Sequence, residues 1–247
     1  MKSLQLLSVL PRRPSEFMER IRMIAQSRWE SAVRRRPAYA LLSFEDTLAQ
    51  LRLQGLREIT SFVNEPALLE IETQVQRNIL QLPAEAPFAS FHHGDPLLAQ
   101  ICFAVARVLR PNLAVETGVC YGVTSAYLLR AIRENHKGNL HSIDLPPLGK
   151  GGDDYVGRLI PPDLREKWTL HRGSSGKLLK PLLKKIGPID LFVHDSMHTY
   201  RNMAREFALA WSALRPGGIL ISDDVEGNSA FLELTRFRDV AFSAVIN

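Results

Sequence analysis

The run Leu113-Ala-Val-Glu116-Thr-Gly118-Val-Cys120-Tyr121-Gly122-Val-Thr124-Ser125 decides how the rest of the chain is read. A short apolar run closed by an acid, a turn carrying two glycines and a segment of helical pattern reads as strand, turn and helix N-terminus. Such a junction brings backbone amides close to a ligand, and the helix dipole favours a negative group there. The pattern is ExGxxxG and not GxGxxG, with Cys120 where another glycine often sits, so the pyrophosphate cradle of dinucleotide folds is missing from its usual register. Glu116 at the strand end would repel phosphates and suits a ligand with a cationic centre.

Outward from this junction, helical stretches alternate with short apolar runs flanked by Gly, Asp or Pro. The runs are 113–116, 140–144, 168–171, 189–195 and 218–223; the helical stretches are about 95–109, 123–135, 176–186 and 199–214. This alternation predicts an α/β, Rossmann-like, doubly wound and mostly parallel sheet with helices on both faces and ligands outside the carboxyl ends of the strands. Asp144 closes the second strand, 22 residues after Gly122, where it can accept hydrogen bonds from ribose hydroxyls.

The fourth and fifth runs end in Asp195 and in Asp223-Asp224. Adjacent parallel strands would deliver three carboxylates to one sheet edge, a costly arrangement unless protons or a cation compensate. A divalent-metal site at Asp195, Asp223 and Asp224 is the economical explanation; solvated carboxylates, one of them touching a cofactor, are the alternative. His198 lies three residues beyond Asp195, and a histidine there can take a proton from a hydroxyl whose pKa a cation has lowered. His194 reads as a structural histidine of the fourth strand.

The first 88 residues read as a helical region: Ser15 capping a helix over about 16–33, a second helix over 44–54, and a third after Asn64 with Pro66 in its first turn. Pro83 and Pro87 place a domain boundary near residue 88, giving a helical N-terminal region 1–88 and a domain 89–247. The net charge of +5 comes from 31 Lys and Arg against 26 Asp and Glu, and through residue 60 there are 11 bases and 6 acids, leaving 20 of each beyond. The basic excess, Arg34-Arg35-Arg36 included, lacks the interleaved aromatics of a nucleic-acid surface, so no nucleic acid is expected; a solvated helix face, or docking onto the acidic surface of a partner or of a second subunit in a homodimer through the N-terminal helices, is the preferred reading. Cys102 and Cys120 have neither zinc nor disulfide spacing, no small-residue cleavage site follows MKSLQLLSVL, and no apolar stretch reaches membrane-span length, so a cytoplasmic protein is expected.

These motifs resemble, over about residues 93–228, the class I S-adenosylmethionine-dependent methyltransferases, and within them the catechol and caffeoyl-CoA type and the sugar O-methyltransferases. The resemblance rests on His93-Gly94-Asp95, ExGxxxG with Thr124-Ser125, Asp144, Gly173-Ser174-Ser175 and Pro216-Gly217-Gly218, in this order. It implies a hydroxyl acceptor on a small molecule or glycan and S-adenosylmethionine as cofactor. Glu116, Gly118, Tyr121 and Gly122 would then line the cofactor pocket, Ser125 would hold the methionyl carboxylate, and Asp144 would bind ribose. Ser174 and Ser175 would lie beside the adenine. Asp195 would serve both cofactor and catalysis, and magnesium would sit at Asp195, Asp223 and Asp224, which keep the family's 28-residue spacing. His198 stands where the catechol family places a lysine base, and His92 and His93 could face the same site. Acceptor specificity would come from the N-terminal region and from loops such as 148–162. The fold normally ends in an antiparallel hairpin, whereas one candidate strand, about 240–246, is present, so either an abbreviated hairpin or a missing final sheet strand is expected. Two other readings stand beside this one: an NAD-dependent oxidoreductase, disfavoured by the absent GxGxxG, and a non-catalytic methyltransferase-like binding module.

Overall fold

The apolar runs form strands because each is rich in branched residues and is bounded by glycine, acid or proline that ends pairing. A computed structural model of the chain describes residues 6–7, 9–11, 13–33, 37–83, 86–87, 95–148 and 151–246. Its elements are α1 (Pro14–Ala32), β1 (Leu41–Leu42), α2 (Phe44–Leu53), α3 (Ile59–Phe62), α4 (Pro66–Leu80), α5 (Pro96–Leu109), β2 (Leu113–Thr117), α6 (Val123–Glu134), β3 (Asn139–Asp144), α7 (Gly152–Tyr155), β4 (Trp168–Arg172), α8 (Ser175–Ile186), β5 (Ile189–His194), α9 (Tyr200–Ala213), β6 (Leu214–Ser222), α10 (Ala230–Phe237) and β7 (Val245–Ile246).

The main sheet has the order β4-β3-β2-β5-β6, and every pairing in it is parallel. All six residues of β5 are buried, as a central strand covered on both faces requires. The chain reverses direction across the sheet between β2 and β5, and the crevice at such a switch point is where open α/β sheets bind ligands. The expected α/β doubly wound class is therefore what the chain adopts, here wholly parallel among the described residues. The late strand is shorter than the sequence suggests: β7 covers only Val245–Ile246 and pairs in parallel with β1 in a separate two-stranded sheet, while β6 is an edge of the main sheet.

Helix ends explain themselves locally. The side chain of Ser43 accepts the Asp46 N–H at 3.0 Å to start α2, and Asp95 accepts the Leu97 N–H at 2.8 Å to start α5. Ser15 does not cap α1: Pro14 already occupies the first turn, its fixed φ suiting that position, and Arg13 is the N-cap. The core runs without a break from the N-terminal helices into the sheet, since Leu48, Ile59, Leu68, Ile71 and Val75 share one buried cluster with Phe103, Leu128 and Leu191. Arg107 on α5 fixes that contact by gripping both oxygens of Glu65 at 2.8 Å while lying over the Phe62 ring. His92, His93, Gly94 and Arg34 to Arg36 lie outside the described residues.

Candidate active site

Beyond the carboxyl ends of the strands the backbone ladder continues for one more rung. Gly118 N–H donates to Ile143 O at 2.9 Å, Asp195 N–H to Thr117 O at 2.8 Å, Gly173 N–H to Asp144 O at 2.8 Å, and Asp223 N–H to His194 O at 2.9 Å. These bonds draw the five loops into one rim. Gly118 sits at φ +86°, and a Cβ there would fall 1.9 Å from the carbonyl oxygen of Asp195. Only glycine allows the turns after β2 and β5 to touch, which is the physical content of the first glycine in ExGxxxG.

This rim bounds a cavity of about 1080 Å³. Of the residues singled out from sequence, Gly118, Asp144, Ser174, Ser175, Asp195, His198, Asp223 and Asp224 line it. Glu116, Tyr121, Gly122 and Ser125 do not; they form the layer behind the turn. Glu116 is fully buried and its Oε2 accepts from Ser125 Oγ at 2.6 Å and Ser142 Oγ at 2.7 Å. Ser125 Oγ is thus spent on Glu116 instead of facing a ligand, because the helix it begins turns that residue toward the strand. Burial pushes the Glu116 carboxyl up to about 7, against the pull of its two serine hydrogen bonds. Tyr121 packs edge-on against Tyr155, and Gly122 at φ +89° lets Gly157 and Ile160 approach.

Asp144 is half-buried on the cavity wall. Burial raises its pKa to about 6, although the N–H groups of Val119, Leu145 and Cys120 pull the other way; its Oδ2 has no hydrogen-bond partner among the described residues. Ser174 Oγ donates to Glu19, and Arg205 Nη2 donates to Ser175 Oγ at 3.2 Å.

At the other end of the cavity, one ligand atom each from Asp195, His198 and Asp223 lies within 4.8 Å of the other two. Burial and the facing Asp223 carboxyl push Asp195 well above the usual carboxylate range, and Asp223 is raised by burial and by Asp224. Two carboxyls this close favour a proton or a cation between them. His198 Nε2 is 3.7 Å from Asp195 Oδ1 and its Nδ1 is 3.6 Å from Asp224 Oδ2, both too long for hydrogen bonds. Burial and the neighbouring His194 lower the His198 pKa below its ordinary value. The trio brought together is therefore Asp195, His198 and Asp223, whereas Asp224, its side chain 70% exposed, stands outside it.

Two features escaped the sequence reading. Glu206 on α9 is buried beneath the site and accepts from Ser196 Oγ at 2.9 Å and Asn202 Nδ2 at 3.0 Å, while His194 Nδ1 meets its second oxygen at 2.7 Å. An acid one place before Phe207 in an apolar stripe was its only signal. The second is α1, whose Met18, Glu19, Arg22 and Gln26 form a wall of the cavity, while the described part of the 148–162 loop forms none. That loop instead packs behind the glycine turn, Leu159 N–H donating to Tyr121 O at 2.9 Å. Polar residues at helical spacing look like a solvated face, so nothing local marks α1 as a wall.

A parallel sheet with a glycine turn, acidic strand ends and a crevice at the switch point defines the Rossmann-like ligand-binding class. Residues 115–225 match the family model described as a methyltransferase domain, in agreement with the resemblance drawn from the sequence. No curated protein matches the chain. Among solved structures it is similar to the Podospora anserina methyltransferase PaMTH1 bound to SAH, at 15% identity, 76% coverage of this chain, 73% of that one and a TM-score of 0.46. It is also similar to the Bacillus cereus O-methyltransferase in complex with SAH, at 15% identity, 70% and 78% coverage and a TM-score of 0.47. A third is the Streptomyces achromogenes O-methyltransferase TomG in complex with SAM, at 19% identity, 70% and 76% coverage and a TM-score of 0.45. No helix of the described residues is long and apolar enough to cross a membrane.

Proposed function

We propose that the chain is an S-adenosylmethionine-dependent O-methyltransferase acting on a hydroxyl of a small molecule or sugar, with a divalent cation beside the reacting oxygen. The observation that carries this reading is the single cavity joining the buried, unpartnered oxygen of Asp144 to the cluster of Asp195, His198 and Asp223. Its volume of about 1080 Å³ leaves room for a cofactor and an acceptor side by side.

The residues fit such a cofactor. Asp144 offers the acceptor that ribose hydroxyls need, Gly118 lets the turns after β2 and β5 meet at the rim, and Ser174 and Ser175 line the same cavity. Glu116, Tyr121, Gly122 and Ser125 act one layer back, holding the turn in shape. The cluster also fits a cation, because two facing carboxylates need compensating charge and a histidine kept neutral is a good donor. Bound there, a divalent cation such as magnesium would lower the pKa of an acceptor hydroxyl.

His198 receives the hydroxyl proton in this account, its depressed pKa keeping it unprotonated near neutral pH, with the Asp195 carboxyl 3.7 Å away beside the reacting oxygen. A second reading, favoured by the 4.8 Å trio, makes His198 a cation ligand. The His198→Ala variant separates them. A fall in turnover of about a hundredfold or more with unchanged Mn²⁺ affinity supports the base. Lost Mn²⁺ affinity supports the ligand role, and turnover within tenfold of wild type with unchanged Mn²⁺ binding removes both. A chelator that leaves turnover unchanged would remove the cation. Screening a labelled methyl donor against cell extract, with mass analysis of the product, identifies the acceptor.

A further inference from the structure

Helix α1 is built inside out. Its three acids face the α/β domain: Glu16 accepts from Arg20 Nη2 at 2.7 Å and Arg172 Nη1 at 2.9 Å, Glu19 meets Lys177 Nζ at 2.9 Å, and Glu30 accepts the backbone N–H of Tyr200 at 2.5 Å. Gln26 adds a bond to Thr199 Oγ1 at 2.8 Å, and Arg20 one to Pro146 O at 2.7 Å. The opposite side carries Ile21, Ile24 and Trp29, exposed by 39, 42 and 64%, with the exposed Arg28 among them. At 3.6 residues per turn these side chains fall within an arc of about 140° of the helix surface. Leu7 and Leu10, just before the helix, are 56% and 43% exposed. A helix of a globular domain ordinarily turns such residues inward, and large apolar side chains gathered on an outer face mark a contact surface.

Charge selects the occupant. All three carboxylates of the helix are committed to the domain, so its outer arc has a guanidinium and no acid. In a two-fold contact between copies, Arg28 would enter an arc that offers it no counter-charge from either helix. A lipid surface bearing phosphates supplies that counter-charge, accepts the apolar side chains at the acyl boundary, and suits a tryptophan at headgroup depth.

We propose that the outer face of α1 docks the protein on an anionic lipid bilayer. Because Met18 and Arg22 of the same helix line the cavity, docking sets the cavity mouth beside the lipid surface. This goes beyond methyl transfer and does not rest on it.

The test is co-sedimentation of the full chain with vesicles of phosphatidylcholine alone or with about 30% phosphatidylglycerol, a mixture negative enough to attract basic side chains. Binding to the anionic vesicles is expected to be at least about tenfold tighter, with a blue shift of emission that Trp29→Phe removes. The double variant Ile21→Ser, Ile24→Ser and the single variant Arg28→Glu should each lose at least about tenfold in vesicle binding while melting like wild type, their sites being exposed. Equal binding by wild type and variants overturns the proposal. So does a wild-type chain that ignores vesicles, whether it forms a dimer that the double variant dissociates or binds RNA in a salt-dependent way.

Discussion

Two glycines at the same unusual backbone angle make opposite demands. Gly118 at φ +86° has the Asp195 carbonyl 1.9 Å from where a Cβ would sit, while Gly187 at φ +84° has nothing within 4 Å. Gly187→Ala should cost only the backbone strain of φ +84° with ψ −158°, a region essentially confined to glycine, about 1–3 kcal/mol. Gly118→Ala adds an overpacking cost against rigid backbone and should lose about 3 kcal/mol or more in urea unfolding. Equal losses would mean that the touching turns are not fixed. Two buried acids give opposite pH signatures. Burial disfavours the Glu206 anion, but His194, Ser175 and Thr117 outweigh it and hold the carboxyl down to about 2, so its stabilisation is present above an ordinary carboxylate pKa near 4.5 and is lost as pH falls toward 2. Glu206→Gln should flatten that acid limb and cost about 3 kcal/mol at neutral pH, since it breaks a buried charge network. Glu116 is raised to about 7, so its contribution is present below pH 4.5 and declines as pH rises through 7. Glu116→Gln should therefore gain on wild type between pH 5 and pH 8 in the same unfolding assay, and a parallel pair of curves would contradict the assignment. The glycine turn and the strand-end acids were legible because each is a local demand: a φ that only glycine meets, or a charge where a strand stops. Glu206 was not, since its partners come from three separate elements of the fold and its own sequence neighbours are those of an ordinary apolar stripe.

The five main strands and most of the longer helices agree with the sequence reading to within a few residues, because period and boundary signals coincide there; α10 is the longest helix it missed. What failed was the assignment of roles between elements. Pairing of β7 with β1 joins residues more than two hundred positions apart, and no local pattern encodes that. The docking of α1 is likewise written in contacts such as Glu16 to Arg172, whose members each look like surface charge alone. This contact has a testable consequence. Arg172→Ala leaves Glu16 with Arg20, so α1 should remain helical but release more readily, exchanging its amide hydrogens several-fold faster while β3 and β5 stay protected. Unchanged exchange in α1 would show that other bonds suffice to hold it.

At the scale of the molecule, the +5 charge separates into a basic first 60 residues and a balanced remainder. The informative charges of the cavity are acidic, and the basic excess belongs with the segment whose helix α1 walls it. One cavity spanning the switch point ties the account together, and a ligand bound there should stabilise the whole chain. At about a hundred times its Kd, S-adenosylhomocysteine should add close to 2.7 kcal/mol, a rise of roughly 5–10 °C in Tm for a chain of this size. The central claim is tested most directly by isothermal titration calorimetry of the folded protein with S-adenosylhomocysteine. The account predicts one site per chain with a Kd in the micromolar range, weakened at least about tenfold by Asp144→Ala. No heat at ligand concentrations up to about 0.3 mM, with the fold intact by circular dichroism, would contradict it.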